Sequence, residues 1–416
     1  MGKRATSLAG SVLVLLAAGI GPAPAQAPAT VPAAADFPVA SDVRVGGDAK
    51  STRFVVDLSS KVEVRPFTLA NPYRVVIDLP QVTFQFPAQA GEHGRGLIKA
   101  FRYGLMMPGG SRIVIDTTGP VKVDKAFVLE ATGSQPARLV LDLVAVSREA
   151  FLRAEAVDNQ LHRASARTSD KPSERADRDG DPRPIIVLDP GHGGIDSGTH
   201  ARGSGEAEKA LVLDFALMLR DKLEKSGKYR VMMTRSDDSF VPLVDRVRFA
   251  RSRNAQLFIS IHCDALARGE GEAEGATIYT LSDHASDSEA AKLAEAENRA
   301  DVISGVDLSA EPDDVAGILI DLAQRETRKD SAEFAKAVVA ALRNAARLHK
   351  NPLKSAGFKV LKAPDVPSVL IELGYVSNRK DLKELTSQTW RAHVGDAIVQ
   401  AVNAYFTPRL AGGPER

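Results

Sequence analysis

Three regimes of hydrophobic patterning follow one another along the chain. After a Pro/Ala-rich spacer that ends near residue 37, short apolar stretches alternate with charged and turn residues as far as about residue 146. The run "TRFVVDLSSKVEVRPFTLANPYRVVIDL", from Thr52, is answered by "SRIVIDTTGPVKVDKAFVLEATGSQPARLVLDL", from Ser111. Each copy opens on an Arg and an Asp that bracket three apolar residues (Arg53 and Asp57, Arg112 and Asp116), then passes through a Lys/Val strand. Each closes on a second Arg-apolar-Asp-Leu strand (Arg74 with Asp78 and Leu79, Arg138 with Asp142 and Leu143). Short strands separated by Gly, Pro and Asn turns predict an all-β sandwich of two similar halves. It carries no nucleophile, acid pair or metal cluster, so binding is its expected role.

The pattern is lost between residues 147 and 183, where "SARTSDKPSERADRDGDPRP" is polar, mixed in charge and nearly free of large apolar residues. This reads as a flexible linker. Its reach, roughly 30 Å by square-root scaling, would let the flanking domains work at separate points on a surface. From Pro184 onward apolar runs and helical periodicities alternate. Residues 185–188, 229–234, 257–262, 276–281 and 368–373 read as strands, and residues 206–225, 243–253, 331–348 and 390–405 as helices. That order predicts an α/β domain with a mostly parallel sheet flanked by helices, preceded by the all-β sandwich. About fifty residues separate the strand near Leu281 from the helix at Ser331, far more than an ordinary connection. They contain polar-rich helical stretches.

Composition narrows the function. The 416 residues suffice for two or three domains, and a formal net charge of +1 with 5% aromatics leaves no footprint for nucleic acid. The first residues, "MGKRATSLAGSVLVLLAAGIGPAPAQA", join a basic start to an apolar run and a small-residue cleavage site, which predicts a cleaved signal peptide over residues 1–25. The run is shorter than a membrane span needs, so no stable span is expected after cleavage. Lys3-Arg4 does not choose between export routes. The single cysteine, Cys263, cannot form an internal disulfide and reads as a small buried hydrophobe.

Candidate chemistry collects at the strand ends. In "IIVLDPGHGGIDSG" an apolar strand runs straight into His192 among four glycines, and Asp196 stands where a dinucleotide fingerprint would need glycine. Glu208 opens the first helix, with Glu206 a rival two positions away, and His262 ends "LFISIH". Two imidazoles and one carboxylate are the ligand set of a catalytic zinc that leaves a fourth position open. Glu372 lies between Ile371 and Leu373 in "PSVLIELGYVSN". Its burial would raise its pKa and suit it to take a proton from water and return it to a leaving amine. On the residues alone three readings stand: a zinc amidase, a zinc deacetylase or peptidase, and a non-catalytic envelope protein.

The motifs "IVLDPGHGG", Glu208-Lys209, "TRSDDSFVPLVDRV", "FISIHCDA" and "VPSVLIELGYVSN" together resemble the zinc-dependent N-acetylmuramoyl-L-alanine amidases of the bacterial cell wall. Residues 38–146 resemble the AMIN domain that precedes their catalytic domain in division-associated members. The resemblance implies a catalytic domain over residues 184–408 with one zinc held by His192, Glu208 and His262, and Glu372 as the catalytic carboxylate. The bond cut would join N-acetylmuramic acid to L-alanine of the peptidoglycan stem peptide. It further implies that a helix of the insertion, about residues 285–328, covers the cleft with a Glu at the metal's open position. Glu297 ranks before Glu295 for that place. A LytM-like activator of the division machinery would displace the helix, in a periplasmic enzyme concentrated at the septum. Cys263-Asp264 departs from the small or amide residues common there, a departure expected to change packing rather than chemistry.

Overall fold

Alternating inward apolar residues build the N-terminal half of this computed structural model, which describes residues 37–87, 89–154, 181–201, 205–265, 273–306 and 318–411, except the side chains of 318–324, 410 and 411. The expected signal peptide and most of the expected linker lie outside the described residues. The strands are β1 (Val39–Gly47), β2 (Ser51–Leu58), β3 (Arg65–Leu69), β4 (Arg74–Pro80), β5 (Thr83–Phe84), β6 (Ile98–Met107), β7 (Gly110–Thr117), β8 (Val121–Leu129) and β9 (Ala137–Ala145). They form one sheet in the order β5-β1-β2-β9-β8 and a second in the order β3-β4-β7-β6. Phe54 and Val56 of β2, Leu139 and Leu141 of β9, Val75 and Ile77 of β4, and Ile113 and Ile115 of β7 fill one core between them.

The two sequence copies do not make one sheet each. The opening strand of each copy pairs with the closing strand of the other, β2 with β9 and β7 with β4, so Arg53 stands opposite Asp142 and Arg112 opposite Asp78. Strands β4 and β7 are also buried on their outer face. There Val76 and Val114 pack with Leu69 of β3 and with Ile195 and Phe240 of the following domain.

That domain comprises β10 (Ile185–Pro190), α1 (Glu208–Lys225), β11 (Arg230–Met233), α2 (Leu243–Ser252), β12 (Leu257–His262), β13 (Ala276–Leu281), α3 (Ser288–Glu297), α4 (Ala300–Ile303), α5 (Ile318–Leu342), β14 (Leu348–Ala356), β15 (Ser368–Glu372), α6 (Arg379–Leu385) and α7 (Gln388–Ala411). The sheet order is β11-β10-β12-β15-β13-β14. Strands β10, β11, β12 and β15 are parallel, and β13 runs antiparallel to β15. Apolar residues of α1 recur at helical spacing, Val212, Phe215, Ala216, Leu219 and Leu223, and pack with α5 and α7 on one face of the sheet. Residues of α2 and α3 cover the other face.

Two differences from the sequence pattern have a local cause. The helix expected over 331–348 starts at Ile318 and ends at Leu342, and residues 348–356 are a strand instead. Its sequence, "LHKNPLKSA", alternates poorly and contains Pro352, which an edge strand tolerates because one side of its backbone needs no ladder bond. Among the described residues no helix is long and apolar enough to cross a membrane.

Candidate metal centre and active site

The chain leaves β10 for β11 on one side and returns to β12 on the other, and this reversal opens a crevice beyond the carboxyl ends of β10 and β12. His192 follows β10, His262 closes β12, and Glu372 closes β15 in register with His262. Glycine lets the first two rings approach. A Cβ at Gly191 would lie 2.3 Å from the His262 ring.

His192 has φ of 60°, the left-handed region that disfavours a residue with a Cβ. Buried arginines hold this loop in place. Arg246 donates from Nη2 to the His192 carbonyl (2.7 Å) and from Nη1 to Asp189 Oδ1 (2.8 Å). Arg235 donates to the carbonyls of Pro190 (2.9 Å), Gly191 (2.7 Å) and Lys209 (2.8 Å), tying the loop to the start of α1. Asp189 also accepts from Thr234 (2.6 Å) and Ser260 (2.7 Å). Burial opposes its charge, yet Arg246 and these hydroxyls hold its pKa below the ordinary value. Burial, helped by Arg246, lowers Arg235 to about 10. Sequence reading missed Asp189, Arg235 and Arg246 as a unit. Their signal lay inside "VLDPGHGG" and "TRSDDSFVPLVDRV", motifs already quoted, but only the fold reveals the pairing.

The structure brings His192, Glu208 and His262 together with one ligand atom of each within 4.8 Å of the others, all three buried. His192 Nε2 stands 3.3 Å from Glu208 Oε2, and His262 Nδ1 stands 3.4 Å from Glu208 Oε1. Neither nitrogen has a hydrogen-bond partner. Glu297, the last residue of α3, places Oε2 3.2 Å from His262 Nδ1 and 3.6 Å from His192 Nε2. Ligands about 2.0–2.2 Å from a tetrahedral ion stand roughly 3.3–3.6 Å from one another, so these spacings suit four groups around one cation. Glu208 meets the two rings with different oxygens. Its carboxylate is fixed by Cys263 N (2.8 Å) on Oε1 and by Thr199 N (3.1 Å) and Oγ1 (3.0 Å) on Oε2. The rival Glu206 is exposed, as is Glu295, which pairs with Arg299. Cys263 is buried, as its surroundings in the sequence suggested.

His192 Nδ1 lies 3.0 Å from Asp196 Oδ2, an orienting contact of the kind that fixes the ring of a metal ligand. Glu372 accepts from Asp264 N on Oε2 (3.0 Å), whereas its buried Oε1 has no partner. Burial and the carboxylates of Asp264, Glu208 and Glu297 push its pKa well above the usual carboxylate range. Asp264 is raised by burial, Glu208 and Glu297. Burial opposes protonation of His192, but Glu208, Asp196 and Glu297 raise its pKa well above the ordinary value. A buried cluster of five carboxylates and two imidazoles is one that a bound cation would relieve.

Comparison with known proteins places these features in a wider set. A family model described as N-acetylmuramoyl-L-alanine amidase matches residues 186–404, and the AMIN domain model matches residues 42–144. The N-acetylmuramoyl-L-alanine amidase AmiC of Escherichia coli O6:H1 is 36% identical over 370 residues, covering 85% of this chain and 86% of the relative. AmiC of Neisseria meningitidis serogroup B is 34% identical over 368 residues, covering 85% and 87%. AmiA of Escherichia coli K12 is 36% identical over 265 residues, 64% of this chain and 89% of the relative.

Proposed function

The chain belongs to the N-acetylmuramoyl-L-alanine amidase family, and from that premise we propose that it is a zinc enzyme cutting the amide between N-acetylmuramic acid and L-alanine of the stem peptide in peptidoglycan. The observation that carries this reading is the convergence of His192 Nε2, His262 Nδ1 and Glu208, buried and without hydrogen bonds to either nitrogen, beside an unpartnered oxygen of Glu372. His192, Glu208 and His262 would hold the metal. When bound, zinc supplies Lewis-acid polarisation of the amide carbonyl and acidifies water.

The chain's own groups do the rest. Asp196 holds the His192 ring, and Cys263 N and Thr199 hold Glu208, so the donor set is organised before substrate arrives. Glu372 Oε1 takes a proton from the attacking water and delivers it to the L-alanine nitrogen as the amide breaks. Its Oε2 stays fixed by Asp264 N. A raised pKa suits both halves of that transfer, because the acid form must persist long enough to protonate the leaving amine.

Glu297, 3.2 Å from His262 Nδ1 and 3.6 Å from His192 Nε2, would be a fourth ligand to the metal, and the resting protein would then be autoinhibited. Its carboxylate blocks both water and substrate until a partner withdraws α3. A LytM-like activator of the division machinery is the partner this reading expects. The sandwich serves as the targeting domain of a periplasmic enzyme that acts at the septum, exported on the signal pattern of residues 1–25. Metal analysis tests the centre. Purified protein is expected to hold about one zinc per chain, and His192→Ala or His262→Ala to lose both metal and activity. Full zinc retention in both variants would remove these two residues from the ligand set.

A further inference from the structure

The covering segment is held from two sides. Helices α3 and α4 are separated only by Asn298 and Arg299, so Glu297 at the centre and the turn at 302–306 belong to one short run of chain. Asn298 is tied to the catalytic domain through Gly357 O (2.9 Å) and Lys359 N (2.7 Å). The turn is tied to the sandwich. Arg74 of β4 donates to Val302 O (2.5 Å), Arg102 of β6 to Ile303 O (3.0 Å), and Arg112 of β7 to Ser304 O (3.2 Å) and Gly305 O (2.9 Å). Three guanidinium groups thus take four successive carbonyls across the end of α4 and the turn after it. Two of those groups are aimed by carboxylates of their own sheet: Asp78 receives Arg112 at 2.6 and 3.0 Å, and Asp116 receives Arg102.

Gly305 lies flat on the same sheet. Its φ is +67°, and a Cβ there would meet methyl groups of Val76 and Val114 at 2.9 Å. Val306 joins the apolar cluster of Leu69, Val76, Val114, Ile195 and Phe240. The sandwich also touches the metal-side loops, since Leu105 O accepts from Ile195 N and Met106 O from Phe240 N, both at 3.1 Å. The duplicated half offers the comparison: Arg53 pairs with Asp142 in the other sheet just as Arg112 pairs with Asp78, yet Arg53 remains 58% exposed.

We propose that the Arg74, Arg102 and Arg112 face of the N-terminal sandwich is an interaction surface whose partner is the 302–306 turn of this chain's own covering segment, and that it latches Glu297 over the active site. This rests on the reading of Glu297 as the blocking carboxylate. Activation therefore requires two releases, α3 from the centre and the turn from the sandwich. An activator that binds either one shifts both.

The test uses full-length, zinc-loaded protein with no partner present, assayed on a soluble muropeptide so that wall binding by the sandwich does not enter. Arg74→Ala with Arg112→Ala is expected to raise basal turnover several-fold and to speed amide hydrogen exchange over residues 300–306 by tenfold or more. Arg53→Ala should match the parent in both. Gly305→Ala, which wedges the interface from the opposite side, should act like the arginine pair even if that pair folds poorly. Adding the arginine changes to Glu297→Ala should raise activity no further. If Glu297→Ala is activated while the arginine and Gly305 variants, folded and loaded with zinc, keep parental turnover and exchange, the latch is wrong and the block stands. If Glu297→Ala itself stays at parental activity, the blocking reading fails and the latch falls with it.

Discussion

Glu372 shows how much a single position in a strand can reveal. A carboxylate flanked by Ile371 and Leu373 costs free energy to bury unless something uses it, and its Oε1 is buried without a hydrogen bond at the crevice. Glu372→Ala is expected to keep its zinc and lose turnover by about 10²–10⁴-fold, measured as metal content beside muropeptide cleavage. A metal-free Glu372→Ala protein would instead make Glu372 a ligand. Asp189 is the opposite case, invisible in the sequence because its meaning depends on Arg246, Thr234 and Ser260 arriving from elsewhere in the chain. Its pKa is lower folded than unfolded, so the stability it contributes is present above the ordinary value of 3.8 and is lost as pH falls through the folded value. Asp189→Asn should destabilise the protein by about 3–5 kcal/mol at neutral pH, by leaving Arg246 buried and unpaired. That difference should shrink below about pH 4 in denaturant titrations. A pH-independent difference would mean that Asp189 is not the group titrating.

Elements were legible where their periodicity was strong. Strand β12, buried at every position, and α1, with its single apolar face, were both readable from the pattern, and so was the placing of His262 at a strand end and Glu208 at a helix start. The edge strand β14 was not, because an edge position relaxes the alternation that a sequence reading depends on. The insertion was recognisable by its length, but only the rotation of α3 shows Glu295 turned to solvent and Glu297 turned inward. Glu297→Ala is expected to raise basal activity at least tenfold and weaken the response to activator, with zinc content unchanged. About 3 kcal/mol of differential binding would let an activator shift the same equilibrium more than a hundredfold. Parental basal activity in a zinc-loaded Glu297→Ala protein would end the autoinhibition reading.

At the scale of the whole molecule the duplication in the sequence predicted two similar halves, and the structure shows those halves exchanging strands, so each sheet holds parts of both. No pattern of hydrophobic spacing encodes that exchange, since either pairing buries the same residues. Nor did the sequence show that Val76 and Val114 serve a second interface. Their outward faces read as ordinary strand residues until Ile195 and Phe240 are set against them. A centre built from His192, Glu208, His262 and Glu372 is proposed to cut the amide between N-acetylmuramic acid and L-alanine. Digesting purified sacculi with the zinc-loaded enzyme, in its activated form or as Glu297→Ala, and identifying the products by mass shows which bond is cut. Intact stem peptides with a free L-alanine amino terminus and glycan strands stripped of peptide are the expected products. Released acetate, or shortened peptides still attached to the glycan, would show that a different bond is cut.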